Sequence, residues 1–216
     1  PPPPPDPLVS VCLVTRNRAA LLQQALASIE AQDYPSIQLI LVDDGSDKPE
    51  AIDLLERLVP RLAARGWRVI RQPHLFHTVA RNRAADEASG EFLLFMDDDN
   101  VAEPNEVSVL IRAAMATGAH VLTCGRHIFS GEAPPLPSAP PHHIWMPLGN
   151  VPVIGLLQNC IGDMNFLVRR DTFAELGGFF TGSRGYAFER DFFRRAWLAG
   201  KRLEVVPQLL YHYRHT

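Results

Sequence analysis

Neither of the two common glycine-rich phosphate loops is present. The 216-residue chain has no Gly-x-Gly-x-x-Gly after its first apolar run and no Gly-x-x-x-x-Gly-Lys-[Ser/Thr], which disfavours Rossmann dinucleotide binding and P-loop hydrolysis. Lysine is scarce, limited to Lys48 and Lys201. Positive charge is not in excess either: 21 Lys+Arg stand against 24 Asp+Glu, a formal net charge of −3. A general polyanion binder needs a basic face, so nucleic acid is not an expected partner. The cysteines are few. Cys12, Cys124 and Cys160 are odd in number, far apart and set in apolar runs, and read as reduced core residues of a cytoplasmic domain rather than a disulfide or zinc framework. No apolar run approaches the roughly 20 residues of a membrane span. Material for a core is ample, since 46% of the residues are hydrophobic and a chain of this length buries about 70% of its unfolded surface.

Proline is plentiful but uneven. Of 19 prolines, Pro1 to Pro5 and Pro7 form a leading run, and Pro134, Pro135, Pro137, Pro140, Pro141, Pro147 and Pro152 crowd a second stretch. The first can only be extended and reads as a linker over residues 1–7, from which the natural polypeptide is expected to continue on its N-terminal side. The second, over residues 130–152, is too long for an ordinary connection.

Between these stretches the pattern is strand, helix, strand. Leu8 to Thr15 is a β-rich apolar run of the kind buried on both faces. Leu22, Leu26 and Ile29 place a helix over about Arg18 to Ala31, and Ile37 to Val42 form a second strand ending in Asp43-Asp44-Gly45-Ser46. Ile52, Leu55, Val59 and Leu62 mark a second helix, Trp67 to Ile70 a third strand and Val79 to Ala88 a short helix; Glu91 to Met96 then form a fourth strand running into Asp97-Asp98-Asp99. Four alternations without a hairpin signal indicate a mostly parallel α/β sheet flanked by helices. Past residue 104 the expected elements are a helix over Glu106 to Met115, strands at Val121 to Cys124 and Met164 to Val168, a helix over Glu189 to Ala199 and a closing segment Leu209 to Arg214. The expected division is a nucleotide half over 8–104 and an acceptor half over 105–216.

Ligands in such sheets bind at the carboxyl ends of the strands. Three polar clusters fall there: Thr15-Arg16-Asn17, Asp43-Asp44 and Asp97-Asp98-Asp99. Three adjacent carboxylates repel one another and are costly to leave unpaired in a partly buried cleft, a cost that a divalent cation removes. All-oxygen ligands select a hard ion such as Mg²⁺ or Mn²⁺, which keeps positions open for a phosphate-bearing substrate. Arg81 and Arg83, on the preceding helix, are placed to offset this charge or to meet a diphosphate.

In order and spacing, these pieces resemble the inverting, GT-A fold glycosyltransferases of family 2, over nearly the whole chain from Val9 to Arg214. Val9 to Arg18 is similar to the family's opening strand and Thr-x-Asn-Arg turn, Leu41 to Ser46 to its second-strand signature, and Ala80 to Ala84 with Ser89 to Phe92 to the segment before its metal motif. Asp97-Asp98-Asp99 stands as the Asp-x-Asp motif. Gly162 to Phe166 and Leu176 to Phe179 resemble the acceptor-side strand and the Gly-Gly-Phe turn. Where the family has Glu-Asp-x-Asp, this chain reads Phe188-Glu189-Arg190-Asp191, a departure that leaves the catalytic base open between Glu189 and Asp191.

The resemblance implies metal-dependent transfer of a sugar from a nucleoside-diphosphate sugar, a UDP-sugar by expectation, to an acceptor hydroxyl with inversion at C1. Thr15, Asn17, Asp43 or Asp44, and Arg81 would hold the nucleotide, with Asp44 preferred for the base edge. Asp97 or Asp98 would bind the ribose or the metal's water shell, and Asp99 the metal, with His212 a further candidate ligand. The expected acceptor is a carbohydrate, lipid-linked or protein hydroxyl, and the expected location is cytoplasmic, free or peripheral to a membrane. Two other readings compete. Asp97-x-Asp99-x-Val101 also matches the nucleophile motif of haloacid-dehalogenase phosphatases, against which stand three preceding strands and no well-placed lysine. A catalytically silent nucleotide-sugar-binding domain is the other, should the departure at Glu189-Arg190-Asp191 have disabled the base.

Overall fold

The computed structural model describes residues 6–133, 143–149, 151–182 and 188–215. Most of the leading proline run and the centre of the second proline stretch lie outside these residues. The elements follow in the order β1 (Val9–Thr15), α1 (Ala19–Glu30), β2 (Ile37–Asp44), α2 (Pro49–Ala63), β3 (Arg68–Gln72), α3 (His77–Asp86), β4 (Phe92–Asp97), β5 (Val101–Ala102), α4 (Glu106–Thr117), β6 (Val121–Phe129), β7 (His143–Trp145), α5 (Pro152–Leu157), β8 (Phe166–Arg169), α6 (Arg170–Glu175), α7 (Phe188–Leu198) and β9 (Leu203–Arg214).

Among the described residues one sheet carries all the strands, in the order β3-β2-β1-β4-β8-β6-β9-β5, with β7 pairing β6 from the side. The first four run parallel, as the alternating pattern requires. The second half departs from that pattern: β8 enters antiparallel between β4 and β6, while β6 and β9 run parallel to each other. The strand at Val121 continues to Phe129, and the closing strand begins at Leu203 rather than near Leu209. Pro207, together with a register shift between Cys124 and Arg126, hides this pairing from a sequence reading. The sheet runs unbroken past residue 104.

Local chemistry sets the element ends. Pro49 sits in the first turn of α2, where its missing N–H costs nothing, and Glu50 beside it favours the positive helix end. Helix α4 stops at Gly118, which adopts the left-handed conformation at φ 68°. Gly90, just before β4, lies so close to β1 that a Cβ there would stand 2.7 Å from the Leu8 carbonyl oxygen. Its N–H donates to Ser10 Oγ at 2.9 Å, so the entry of β4 is keyed to β1.

Each sheet face has its own core. On one face Leu13, Leu39 and Leu94 of the sheet form a core with Leu26 of α1, Leu55 of α2 and Leu110 of α4. On the other, Phe95 and Phe166 from the sheet meet Phe173, Phe179, Phe192 and Phe193, with ring centroids of neighbouring pairs about 5–6 Å apart. Each buried ring contributes roughly 2–3 kcal/mol, and the cluster seats α7 against the end of the sheet that carries the polar loops.

One buried acid is set into this frame. Glu106 is fully buried, accepts a hydrogen bond from Asn165 Nδ2, and burial pushes its pKa up to about 8 from 4.5. Between those values the unfolded chain has lost the proton while the folded chain keeps it, so this residue's contribution falls by about 1.4 kcal/mol per pH unit as pH rises. Glu106→Gln keeps an acceptor for Asn165 and removes the titration. The melting temperature of the variant relative to the parent is therefore expected to climb steadily from pH 4.5 to 8, and a flat difference would show that Glu106 is ionised in the fold.

Candidate active site

Thr15 pairs in register with Asp43, and Val14 with both Val42 and Asp97, so the ends of β1, β2 and β4 lie side by side. The three acidic or hydroxylic clusters thereby meet at one edge of the sheet. There they border a cleft of about 520 Å³, lined by Thr15, Asn17, Arg18, Asp44, His74, Phe76, His77, Arg81, Asp97, Asp98, Asp99, Phe188 and Tyr213. Its size falls within the range of small-molecule sites.

The three aspartates take different surroundings. Asp98 turns inward: it is 4% exposed, one oxygen accepts from Thr15 Oγ1 at 2.6 Å and the other from Arg18 Nη1 at 3.1 Å. Burial pushes its pKa up to about 6, with Thr15 and Arg18 pulling the other way. Asp99 accepts from the same Arg18 Nη1 at 2.8 Å, and burial followed by repulsion from Asp97 raises its pKa. Asp97 pairs closely with Arg81. Three carboxylates thus share two guanidinium groups, and the side chains of Asp97 and Asp99 keep 28% and 18% of their exposure. Two partly open, hard oxygen donors with an uncompensated negative charge fit a divalent cation of the Mg²⁺ or Mn²⁺ kind.

The second strand's acids divide as well. Asp43 is 1% exposed, accepts the Ser46 N–H at 3.0 Å and lies 3.4 Å from Arg71 Nε, away from the cleft lining. Asp44 borders the cleft and gathers Gln72 Nε2 at 2.8 Å, the Leu75 N–H at 2.9 Å and His74 Nδ1 at 2.7 Å. It therefore shapes the 72–76 segment, in which Phe76 has φ 76°. Asn17 has a left-handed backbone too, at φ 58°. Its Oδ1 accepts from the Asp47 and Lys48 N–H groups at 2.9 and 3.0 Å, and its Nδ2 donates to Asp47 at 2.7 Å, tying the loop after β1 to the loop after β2.

Arg81 is 7% exposed; beyond Asp97 its Nε and Nη1 have no hydrogen-bond partner among the described residues, and its guanidinium lies 5.0 Å from the Phe188 ring. That contact brings the start of α7 to the cleft. Glu189, next in the chain, is half-buried; burial raises its pKa, and it feels the charges of Asp97 and Arg81. Asp191 is spent elsewhere, on Arg195 Nε at 2.9 Å, whose Nη2 in turn donates to the Gly178 carbonyl at 2.7 Å. His212 faces away from the cleft lining, with Nε2 2.7 Å from Glu103 and its ring stacked on His127. The haloacid-dehalogenase reading gains nothing here, because Lys48 and Lys201 are absent from the cleft lining and Lys201 pairs with Glu175.

A family model described as glycosyl transferase family 2 matches residues 10–177. The chain belongs to this family. Among curated relatives, the succinoglycan biosynthesis protein ExoM of Rhizobium meliloti (strain 1021) is 28% identical over 207 residues, which is 94% of this chain and 65% of that protein. The chain thus spans less than two thirds of this relative's length. Solved structures share the fold. S. aureus TarS 1-349 in complex with UDP-GlcNAc superposes with a TM-score of 0.73 at 20% identity, covering 97% of this chain and 59% of that one. The mannosyltransferase PcManGT from Pyrobaculum calidifontis, in complex with GDP-Man and Mn2+, gives 0.74 at 18% identity over 98% of this chain and 58% of that one. The GT-A fold expected from the family resemblance is therefore the fold found.

Arg18, His74, Phe76, His77, Phe188 and Tyr213 were not among the expected site residues. Arg18 directly follows the expected Asn17, Phe188 precedes Glu189 and Tyr213 follows His212, so adjacency was the available signal for these three.

The Asn17 tie can be tested directly. Asn17→Gly and Asn17→Ala both lose the three side-chain bonds, but alanine also meets the left-handed penalty of about 1 kcal/mol. Urea unfolding is expected to rank the proteins parent, glycine variant, alanine variant; alanine ranking above glycine would mean the loop does not hold its positive φ.

Proposed function

We propose that this domain transfers a glycosyl unit from a nucleoside-diphosphate sugar to an acceptor hydroxyl with inversion at C1, in the building of a cell-surface or secreted polysaccharide. The observation that carries the reading is the meeting, at one cleft, of two partly open aspartates and an arginine with spare donors, with the half-buried Glu189 next in the chain to Phe188 of the lining and within reach of the charges of Asp97 and Arg81. Membership of the family and the nucleotide-sugar complexes of its structural neighbours support it.

In this reading Asp44 and Thr15 border the nucleoside, with Asp44 and the adjoining His74 at the base edge. Asn17 and Asp43 hold the loops rather than the ligand. Asp97 and Asp99 would hold a divalent cation, which would supply Lewis-acid neutralisation of charge on the leaving diphosphate. Arg81 donates to the same diphosphate, and Asp98, bound to Thr15 and Arg18, positions the acidic turn. Glu189 accepts the proton of the acceptor hydroxyl as its oxygen forms the new bond to C1 and the bond from C1 to the diphosphate oxygen breaks on the opposite face. Its burial makes it a stronger base than a glutamate in water. Asp191, committed to Arg195, positions the turn at Gly178. The acceptor side is formed by Tyr213 and by Arg126, whose guanidinium lies 4.2 Å from the Tyr213 ring and 4.5 Å from that of Trp145. Trp145, from the described part of the long proline segment, adjoins this side. No helix among the described residues is long and apolar enough to cross a membrane, and we place the domain on the cytoplasmic side, at the periphery of the membrane when the acceptor is lipid-linked.

Calorimetry with UDP and other nucleoside diphosphates, with and without Mn²⁺, tests the donor assignment. Metal-dependent binding is expected, lost in Asp99→Ala; binding of none of these nucleotides would sink the reading. Glu189→Gln should keep nucleotide binding and lose transfer or sugar-nucleotide hydrolysis by at least about 100-fold. Because the base must be ionised, kcat/KM should fall as pH drops, with an acid limb above the 4.5 of an ordinary glutamate. Full activity in Glu189→Gln would move the base to Asp191.

A further inference from the structure

A second cluster of ligating side chains lies off the cleft, where β5, β6 and β9 meet. His127 on β6 and His212 on β9 are direct partners across the parallel pair, and their rings stack with centroids 4.7 Å apart at 20°. Strand β5 pairs with β9 on the other side, Val101 opposite His212, and the Glu103 N–H that follows β5 donates to the Leu210 carbonyl at 2.8 Å. The Glu103 carboxylate is thereby delivered to His212, Oε1 standing 2.7 Å from Nε2. One ligating atom from each of Glu103, His127 and His212 lies within 4.8 Å of the others, and all three residues are half-buried. None of them lines the nucleotide cleft.

We propose that Glu103, His127 and His212 form a second metal site, specific for a borderline transition-metal dication such as Zn²⁺ and separate from the cation site at Asp97 and Asp99. Two imidazoles and one carboxylate are a donor set that Zn²⁺ takes with water in the fourth position, whereas Mg²⁺ avoids nitrogen. Tetrahedral Zn²⁺ with bonds of about 2.0–2.1 Å brings its ligand atoms to roughly 3.4 Å of one another, so side-chain rotation of an ångström or so closes the site without moving the strands. The backbone of each ligand is already fixed by sheet pairing, and the Phe129 ring stands edge-on to His212 as an apolar wall. When the metal binds, the proton now shared by His212 Nε2 and Glu103 moves to Nδ1 or leaves to solvent, and the hydrogen bond is replaced by two metal bonds. The ion would staple β5 and β9 directly beyond the turn that carries Asp97 to Asp99, stiffening that turn from outside the cleft.

The test uses the full chain, freed of metal by a chelator, in saturating Mg²⁺ so that the carboxylate site is occupied. Titration with Zn²⁺ by calorimetry, and with Co²⁺ followed by its visible absorption, is expected to show one equivalent bound with the spectrum of a four-coordinate nitrogen and oxygen site. Binding should persist in Asp99→Asn and be lost in His127→Asn and in His212→Gln, with circular dichroism confirming that the variants are folded. A rise in melting temperature on adding Zn²⁺ should accompany binding in the parent and vanish in His127→Asn. Absence of Zn²⁺ binding by the parent, its survival in both histidine variants, or its loss in Asp99→Asn alone would overturn the proposal.

Discussion

The structure depends on neutralising three consecutive carboxylates at the end of a buried strand. β4 is apolar until Met96 and then places Asp97, Asp98 and Asp99 at the sheet edge, where water is partly excluded and mutual repulsion is strong. Each carboxylate takes a different answer: Asp97 has Arg81, Asp98 has Thr15 with Arg18, and Asp99 shares Arg18. The neighbouring elements are organised around those answers. Helix α3 must present Arg81, the turn after β1 must present Thr15 and Arg18, and that turn is itself held by Asn17 against the loop after β2.

The aromatic packing on the opposite side of the sheet does a related task at longer range. Phe95 precedes the acidic turn by two residues and touches Phe179, which touches Phe192 on α7. A single apolar cluster therefore fixes both the strand that delivers the aspartates and the helix that delivers Glu189. This is positional control by close packing, where loss of one ring leaves a void that displaces both groups.

Legibility followed the physics. In β1, β2 and β4, strands buried on both faces read as nearly continuous apolar runs, broken only by Ser10 and Gln38 before their carboxyl ends, so the parallel half of the fold and the cleft edge could be placed from residue order alone. The second half resisted for identifiable reasons: β8 inserts antiparallel far from its neighbours in sequence, β6 and β9 pair across a bulge, and Pro207 interrupts the pattern of the last strand. Side-chain direction was also invisible. Nothing in Asp43-Asp44 says which acid borders the cleft, or in Glu189-Arg190-Asp191 which acid pairs with Arg195, because those choices are made by partners elsewhere such as Arg71, Gln72 and Arg195. His212 shows the same limit, since its side chain joins Glu103 and His127 across the strands instead of the acidic turn.

Arg18 stands astride Asp98 and Asp99 with one nitrogen. It is a tethered counter-ion, present at the acidic turn at an effective concentration set by the chain. A cation arriving from solution does not meet a bare carboxylate; it enters an exchange reaction whose free energy is the difference between two partnerships. Weak apparent affinity at such a turn would then measure the strength of the resident arginine as much as any deficiency of the oxygen ligands, and the arginine, once displaced, would become a mobile positive charge beside the cleft.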